Sequence, residues 1–188
     1  MGRAINRLGL LAMVAVAAWG LQGCASGGGG KIVKTPAWYT DVPEETGYYY
    51  SAQVAESRNM QVATKKAKTA ARAELAQQMG SKVENLEKLF QEEVGNDGDS
   101  ELLESFSSVT KTVTSEMLNG AKEAEKESRQ LENGQFRVYV LMGINLLDTN
   151  KALMEKMKAE EHLYTRFRAS KAHDELAKEI ETYEASQQ

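Results

Sequence analysis

Cys24 is the only cysteine among the 188 residues, so no disulfide can close within one chain. Its neighbours give it a different chemistry. Leu21-Gln22-Gly23-Cys24 resembles a lipobox, where a bacterial cysteine thiol takes a diacylglycerol through a thioether. The chain is then cut before the cysteine, and the freed amine usually takes a further acyl chain. Each buried methylene of such chains contributes ~0.8 kcal/mol of membrane affinity, so several chains make a stable anchor. Gln22 is not the commonest residue at its place in that pattern. The upstream residues suit the same processing: Arg3 and Arg7, an apolar run from Leu8 to Trp19, then small or helix-breaking residues. That run of about a dozen residues falls short of the roughly 20 a membrane-spanning helix needs. Ala25 and Ser26 follow the cysteine. By analogy with lipoprotein sorting, the lack of aspartate there favours the outer membrane, with the protein facing the periplasm.

The rest of the chain is poor in reactive arrangements. His162 and His173 are the only histidines. On one helix they would lie ~16 Å apart along the axis, too far to share a metal. No HExxH, GxSxG, Walker or dinucleotide-binding pattern occurs. Glu160, Glu161 and Glu184 sit among lysines and arginines, the pattern of a solvated helix face. Gly95-Asn96-Asp97-Gly98-Asp99-Ser100 lacks the alternating ligands and final glutamate of a calcium loop. No enzyme, no metal and no cofactor are expected beyond the diacylglycerol and N-acyl chain on Cys24. Removing residues 1–23 takes away Arg3 and Arg7 and no acid, so the net charge moves from −4 to −6. An acidic balance argues against general nucleic-acid binding, which needs a basic face to displace counterions.

The elements that would carry any contact surface follow from composition and period. Four consecutive glycines make residues 25–35 a tether. As a coil it spans on the order of 18 Å, and at most ~40 Å extended. Trp38 and Tyr39, followed by Tyr48-Tyr49-Tyr50, concentrate aromatics at the entrance of the folded part. Such rings anchor partners or sugar rings, or pack into a core with their hydroxyls at the rim. Residues 48–55 read as a strand, and Ser57 or Asn59 as the cap of a helix. From Met60 the apolar residues recur at helical spacing: Ala63, Ala67, Ala71, Leu75, Met79, Val83, Leu86 and Phe90. The small half of that stripe suits close approach to a sheet, and the large half a wider gap. Leu102, Phe106, Val109, Val113 and Met117 make a second helical stripe, capped by Asp99 or Ser100.

Ala121-Lys122-Glu123-Ala124-Glu125-Lys126-Glu127 has helix propensity, yet Asn133-Gly134 is a strong hairpin signal for residues 122–131. A polar edge strand there, paired with a strand over 135–144, is the better reading. After Asp148, read as a cap, one long helix runs to about Glu184. Its stripe Leu153, Met157, Tyr164, Phe167 falls out of phase with Ala172, Leu176, Ile180 and Tyr183. The later residues are therefore expected to face a neighbour or solvent.

Pro36-Ala37-Trp38, the Tyr48 strand, Ala63-x3-Ala67-x2-Ala70-Ala71-Arg72-Ala73-Glu74-Leu75-Ala76, and Gly134-Gln135-Phe136-Arg137-Val138-Tyr139-Val140-Leu141 together resemble the Lpp-twenty family of small bacterial lipoproteins. The resemblance covers roughly residues 36–147. It implies an envelope lipoprotein and supports the hairpin; some members of the wider family are flagellar outer-membrane lipoproteins that form disks around the motor.

The expected organisation is a signal peptide over 1–23, a lipidated Gly-rich tether over 24–35, an α+β domain over 36–147 and a helical extension over 148–188. The domain is expected to be a small antiparallel sheet of about three strands packed on one long helix, with a second helix. The expected role is structural or assembly work by contacts with envelope proteins, or with itself, through Trp38, Tyr39, Leu176, Ile180 and Tyr183. The alternative is a binding module that activates an envelope enzyme such as a peptidoglycan synthase.

Overall fold

A computed structural model describes residues 34–95 and 100–187. Its described elements belong to one compact unit, Thr35–Gln188. In chain order they are α1 (Ala37–Thr40), β1 (Tyr48–Ser57), α2 (Met60–Val94), α3 (Ser100–Asn119), β2 (Lys122–Gln130), β3 (Phe136–Asn145), α4 (Leu146–Ala159), α5 (Glu161–Phe167) and α6 (Lys171–Ser186). The architecture is α+β: a three-stranded antiparallel sheet in the order β1-β3-β2, packed on helices. The signal peptide, the lipobox Leu21 to Cys24 and the tether lie outside the described residues, as do residues 96–99 of the polar turn.

α2 is the spine. The Asn59 side chain caps it, accepting from the amides of Gln61 at 2.9 Å and Val62 at 3.2 Å. Gly95, at a φ of +83°, ends it. Thirty-five residues make a rod of roughly 50 Å. Its first half lays Ala63, Ala67, Ala71, Leu75 and Met79 on Val138, Val140, Met142 and Ile144 of β3. Methyl-sized side chains let the helix backbone come close to the pleated surface. Its second half, Leu86 and Phe90, joins Leu102, Phe106 and Val113 of α3 and the three C-terminal helices in an all-helical core. Phe90 stacks on Phe106 with ring centroids 4.5 Å apart, and Phe167 closes on both. Val83, the remaining residue of the stripe, is half-buried.

The hairpin is present with β2 as a charged edge strand. Its turn closes through Leu131 N–H to Gln135 O at 2.7 Å, with Gly134 at a φ of +79°. A bulge at Glu123/Glu125 interrupts the β2 register.

Two expectations are corrected at the C-terminus. The single helix from Asp148 to Glu184 is three helices, and the first is capped by Asn145, whose Oδ1 accepts from Asp148 N–H at 3.1 Å. The chain breaks at Glu160, held extended, and again after Phe167, where Ser170 caps α6. The physical reason is the phase slip in the stripe. A straight helix could not turn both Leu163–Phe167 and Ala172–Leu176 inward; reversing the chain brings both sets onto the core. The helices after residue 147 are thus part of the domain rather than an extension from it. α6 folds back along α4, tied by Asn150 to Glu179 and Lys151 to Glu184.

Candidate functional site

Pairing parity decides which backbone groups of the sheet are free. In an antiparallel ladder, residues alternate between pairs that exchange both N–H···O=C bonds and pairs that exchange none. Leu146 N–H donates to Gly47 O at 2.7 Å, one step beyond the Tyr48–Asn145 pair. The odd residues of β1 therefore bond β3, and the even ones turn their N–H and C=O to the outer edge. Two of those even residues have one outward group each satisfied. Tyr48 N–H donates to Glu45 O at 3.1 Å, and the Gln78 side-chain amide of α2 donates to Tyr50 O at 3.2 Å. Beyond them the backbone groups of Ala52, Val54 and Glu56 have no partner among the described residues. A row of free donors and acceptors on an edge strand is a template for a further strand.

Side chains near that edge do little to guard it. β2, the opposite edge, carries Lys122, Glu123, Glu125, Lys126 and Glu127 and a bulge, the usual devices against strand addition. β1 has Gln53, Val54 and Ala55 at its centre, with no proline, lysine or bulge. The one charge within the strand, Glu56, is already paired with Arg137. Along the edge runs one row of α2 at i, i+4 spacing: Val62, Lys66, Ala70, Glu74 and Gln78. Gln78 fixes that row's side, because it reaches the edge carbonyl of Tyr50. The other four are exposed, Val62 at 45 %.

The aromatic entrance lies mostly on the sheet face opposite α2. Tyr39 packs edge-on against Tyr139, centroids 5.0 Å apart, and Trp38 packs edge-on against Tyr39 at 6.5 Å. Trp38 and Tyr39 are both half-buried. Tyr48 and Tyr50 stack at 5.6 Å and 10°. Tyr50 donates to Glu45 at 2.8 Å, and Asn145 donates to the Tyr48 hydroxyl at 3.1 Å. This pair walls a cleft of about 230 Å³ shared with Glu116, Lys122, Gly143 and Asp148. Tyr49 points the other way, into the sheet core.

The late stripe is placed differently from the expectation. Leu176 is fully buried in the helical core, and Ile180 packs against that core half-buried. Tyr183 packs against the sheet core, its ring 3.2 Å from where a Cβ on Gly47 would stand. Leu176 is thus spent on the molecule's own interior and offers nothing to a partner. A polar network that the sequence reading missed holds these residues in place. Glu179 of α6 is in an ion pair with the nearly buried Lys82 of α2 and accepts from the fully buried Asn150 of α4 at 2.8 Å. Burial, and then the Glu179 charge, raise the Tyr49 phenol above its ordinary value and push Tyr183 up to about 12. The available signal was polar residues at stripe positions: Asn150 falls in step with Leu146, Leu153 and Met157, and Glu179 with Ala172, Leu176 and Tyr183.

Comparison with protein-family models, with curated proteins and with solved structures finds no match. The two histidines are apart in kind as well as in space. His162 is exposed, while His173 packs edge-on against Phe167 with Nδ1 3.5 Å from Asp174. Among the described residues no group of three or more His, Cys, Asp or Glu is placed to hold a metal ion. No helix among them is long and apolar enough to cross a membrane.

Proposed function

We propose that this chain is a lipid-anchored protein of the bacterial outer membrane, facing the periplasm, that does structural or assembly work through protein contacts and without catalysis. The lipobox-like Leu21-Gln22-Gly23-Cys24 and the Gly-rich tether behind it support the anchor. The Lpp-twenty-like order of elements supports the envelope setting. The observation that carries the contact reading is the open edge of β1, where Ala52, Val54 and Glu56 present free backbone groups beside an exposed helix row. An edge of this kind recognises an extended backbone, which is protein chemistry rather than small-molecule chemistry.

Two measurements test the two halves. Metabolic labelling with an alkyne fatty acid should mark the chain and should fail in Cys24→Ser, which should also leave the membrane fraction. Labelling that survives the substitution would remove the anchor. Photoreactive residues placed in cells at exposed Val62, Glu132 and Glu181 should give protein adducts from at least one position. Adducts from none of the three would remove the contact reading.

A further inference from the structure

We propose that the partner of the β1 edge is a second copy of this chain, joined about a twofold axis through Val54. The inference rests on the contact reading above and names its partner. It comes from laying the helix row over the strand. α2 starts just after β1 ends, with Asn59 as cap, and runs back until Gln78 meets Tyr50. With ~1.5 Å of rise per helical residue and ~3.3 Å per strand residue, Ala70 falls above Val54. The exposed row carries opposite charges at equal distances on either side of that point. Lys66 stands four residues before Ala70 and Glu74 four residues after, and neither is in an ion pair among the described residues.

A twofold axis at Val54 exploits that placement. Strand β1 would meet its copy antiparallel, with Val54 opposite Val54 and Ala52 opposite Glu56. These even residues hold the free N–H and C=O groups, so the pairing completes the ladder that parity leaves open. No like charges face each other across it. Above the strands the two α2 helices run antiparallel, with Ala70 opposite Ala70, and Lys66 of each copy faces Glu74 of the other. The spacing is consistent too. α2 lies over β1 and β3 alike, so strands ~4.8 Å apart place the two helix axes roughly 10 Å apart, the usual packing distance. A methyl group at the crossing suits that approach.

The product is a closed six-stranded sheet in the order β2-β3-β1-β1-β3-β2. Its outer edges are the two charged, bulged β2 strands, which resist further addition. The asymmetry between a guarded β2 and an unguarded β1 then has a use: it stops the assembly at two copies. An interface made from one patch meeting itself closes without leaving a free end.

Site-specific crosslinking of the full chain in envelope membranes tests this arrangement. Ala70→Cys should form a disulfide under mild oxidation and run at twice the mass of the processed chain, in excess of any dimer formed with Cys24 as the sole cysteine. Lys66→Cys co-expressed with Glu74→Cys should link through a short bismaleimide. Either variant alone should link far less, since two copies of the same residue would stand ~12 Å apart along the helices. Lys66→Glu should cut the Ala70→Cys yield about tenfold, and Lys66→Glu with Glu74→Lys should restore it. Both substitutions lie on an exposed helix face, so folding is not at risk. No dimer band at Ala70→Cys overturns the proposal, as does an equal band from Lys65→Cys, which lies on the β2 side of α2. An adduct to a different protein at position 70 overturns the second copy and leaves the contact reading standing. Loss of that reading would show instead as no adduct from any exposed position.

Discussion

Gly143 shows how closely the outer sheet face is packed around a single side chain. A Cβ there would stand 2.7 Å from Cε1 and 3.0 Å from Cδ1 of Tyr50, which lies across β3 at that point. Tyr50 is held by its stack on Tyr48 and its bond to Glu45, so yielding means losing both. Gly143→Ala should therefore destabilise the fold by about 1–3 kcal/mol in chemical denaturation. The same substitution in a Tyr50→Ala background should cost far less, and equal costs in the two backgrounds would mean the ring is not the obstacle. Tyrosine ionisation reports on the same residues. Burial, then the hydrogen bond to Glu45, push Tyr50 up to about 12, and burial with the Glu179 charge does the same for Tyr183. The ordinary value is 10.0, so the unfolded chain releases these protons first. Their contribution to stability is full below pH 10 and is lost as pH rises from about 10 to about 12. In a spectrophotometric titration of the phenolate, the Tyr50→Phe, Tyr183→Phe double variant should lack the late rise near 12. A late rise of unchanged size would mean that other phenols are the shielded ones.

Docking of α6 is the element on which reading and structure differ most. Leu176 was expected to face a neighbour, yet it is buried beside Leu86, Phe90 and Met157, and Glu179 and Tyr183 follow it into contact with α2, α4 and the sheet. Leu176→Asp should therefore act on folding rather than on association. Its uncompensated charge in an apolar core should cost at least about 3 kcal/mol. A thermal melt unchanged by the substitution would mean that α6 does not dock. The signals that made α2 and the hairpin legible were local: a cap at Asn59, a period of apolar residues, an Asn133-Gly134 turn. The breaks at Glu160 and after Phe167 carry no glycine or proline, because tertiary packing imposes them. A phase slip between Phe167 and Ala172 was visible, but its resolution by chain reversal depends on which core is near. Strand order was within reach, since an edge strand at 122–131 paired with 135–144 puts the latter in the middle of three. The pairing parity was not, and so the free backbone groups of Ala52 and Val54 emerge only from the register.

At the scale of the whole molecule, the proposed anchor and the proposed twofold contact reinforce each other. Few side chains of large apolar area sit at the β1 edge; Val62 and Val54 are flanked by alanines, and the charged pairs are exposed. Main-chain bonds and exposed ion pairs alone make a weak contact, because each exposed pair contributes only ~0.2–1 kcal/mol. Acylation at Cys24 changes the terms of that contact. Confinement to one membrane surface raises the local concentration of copies, as a linker does between two sites. A contact too weak to hold in free solution then holds at the membrane. Cys24→Ser should accordingly lower the Ala70→Cys crosslinking yield at matched expression, even though residue 24 is remote from the strand in sequence. Quantitative blotting of the monomer and dimer bands in the two backgrounds measures the coupling. Equal yields would mean that the contact is strong enough without the membrane, and that the anchor serves only to place the protein.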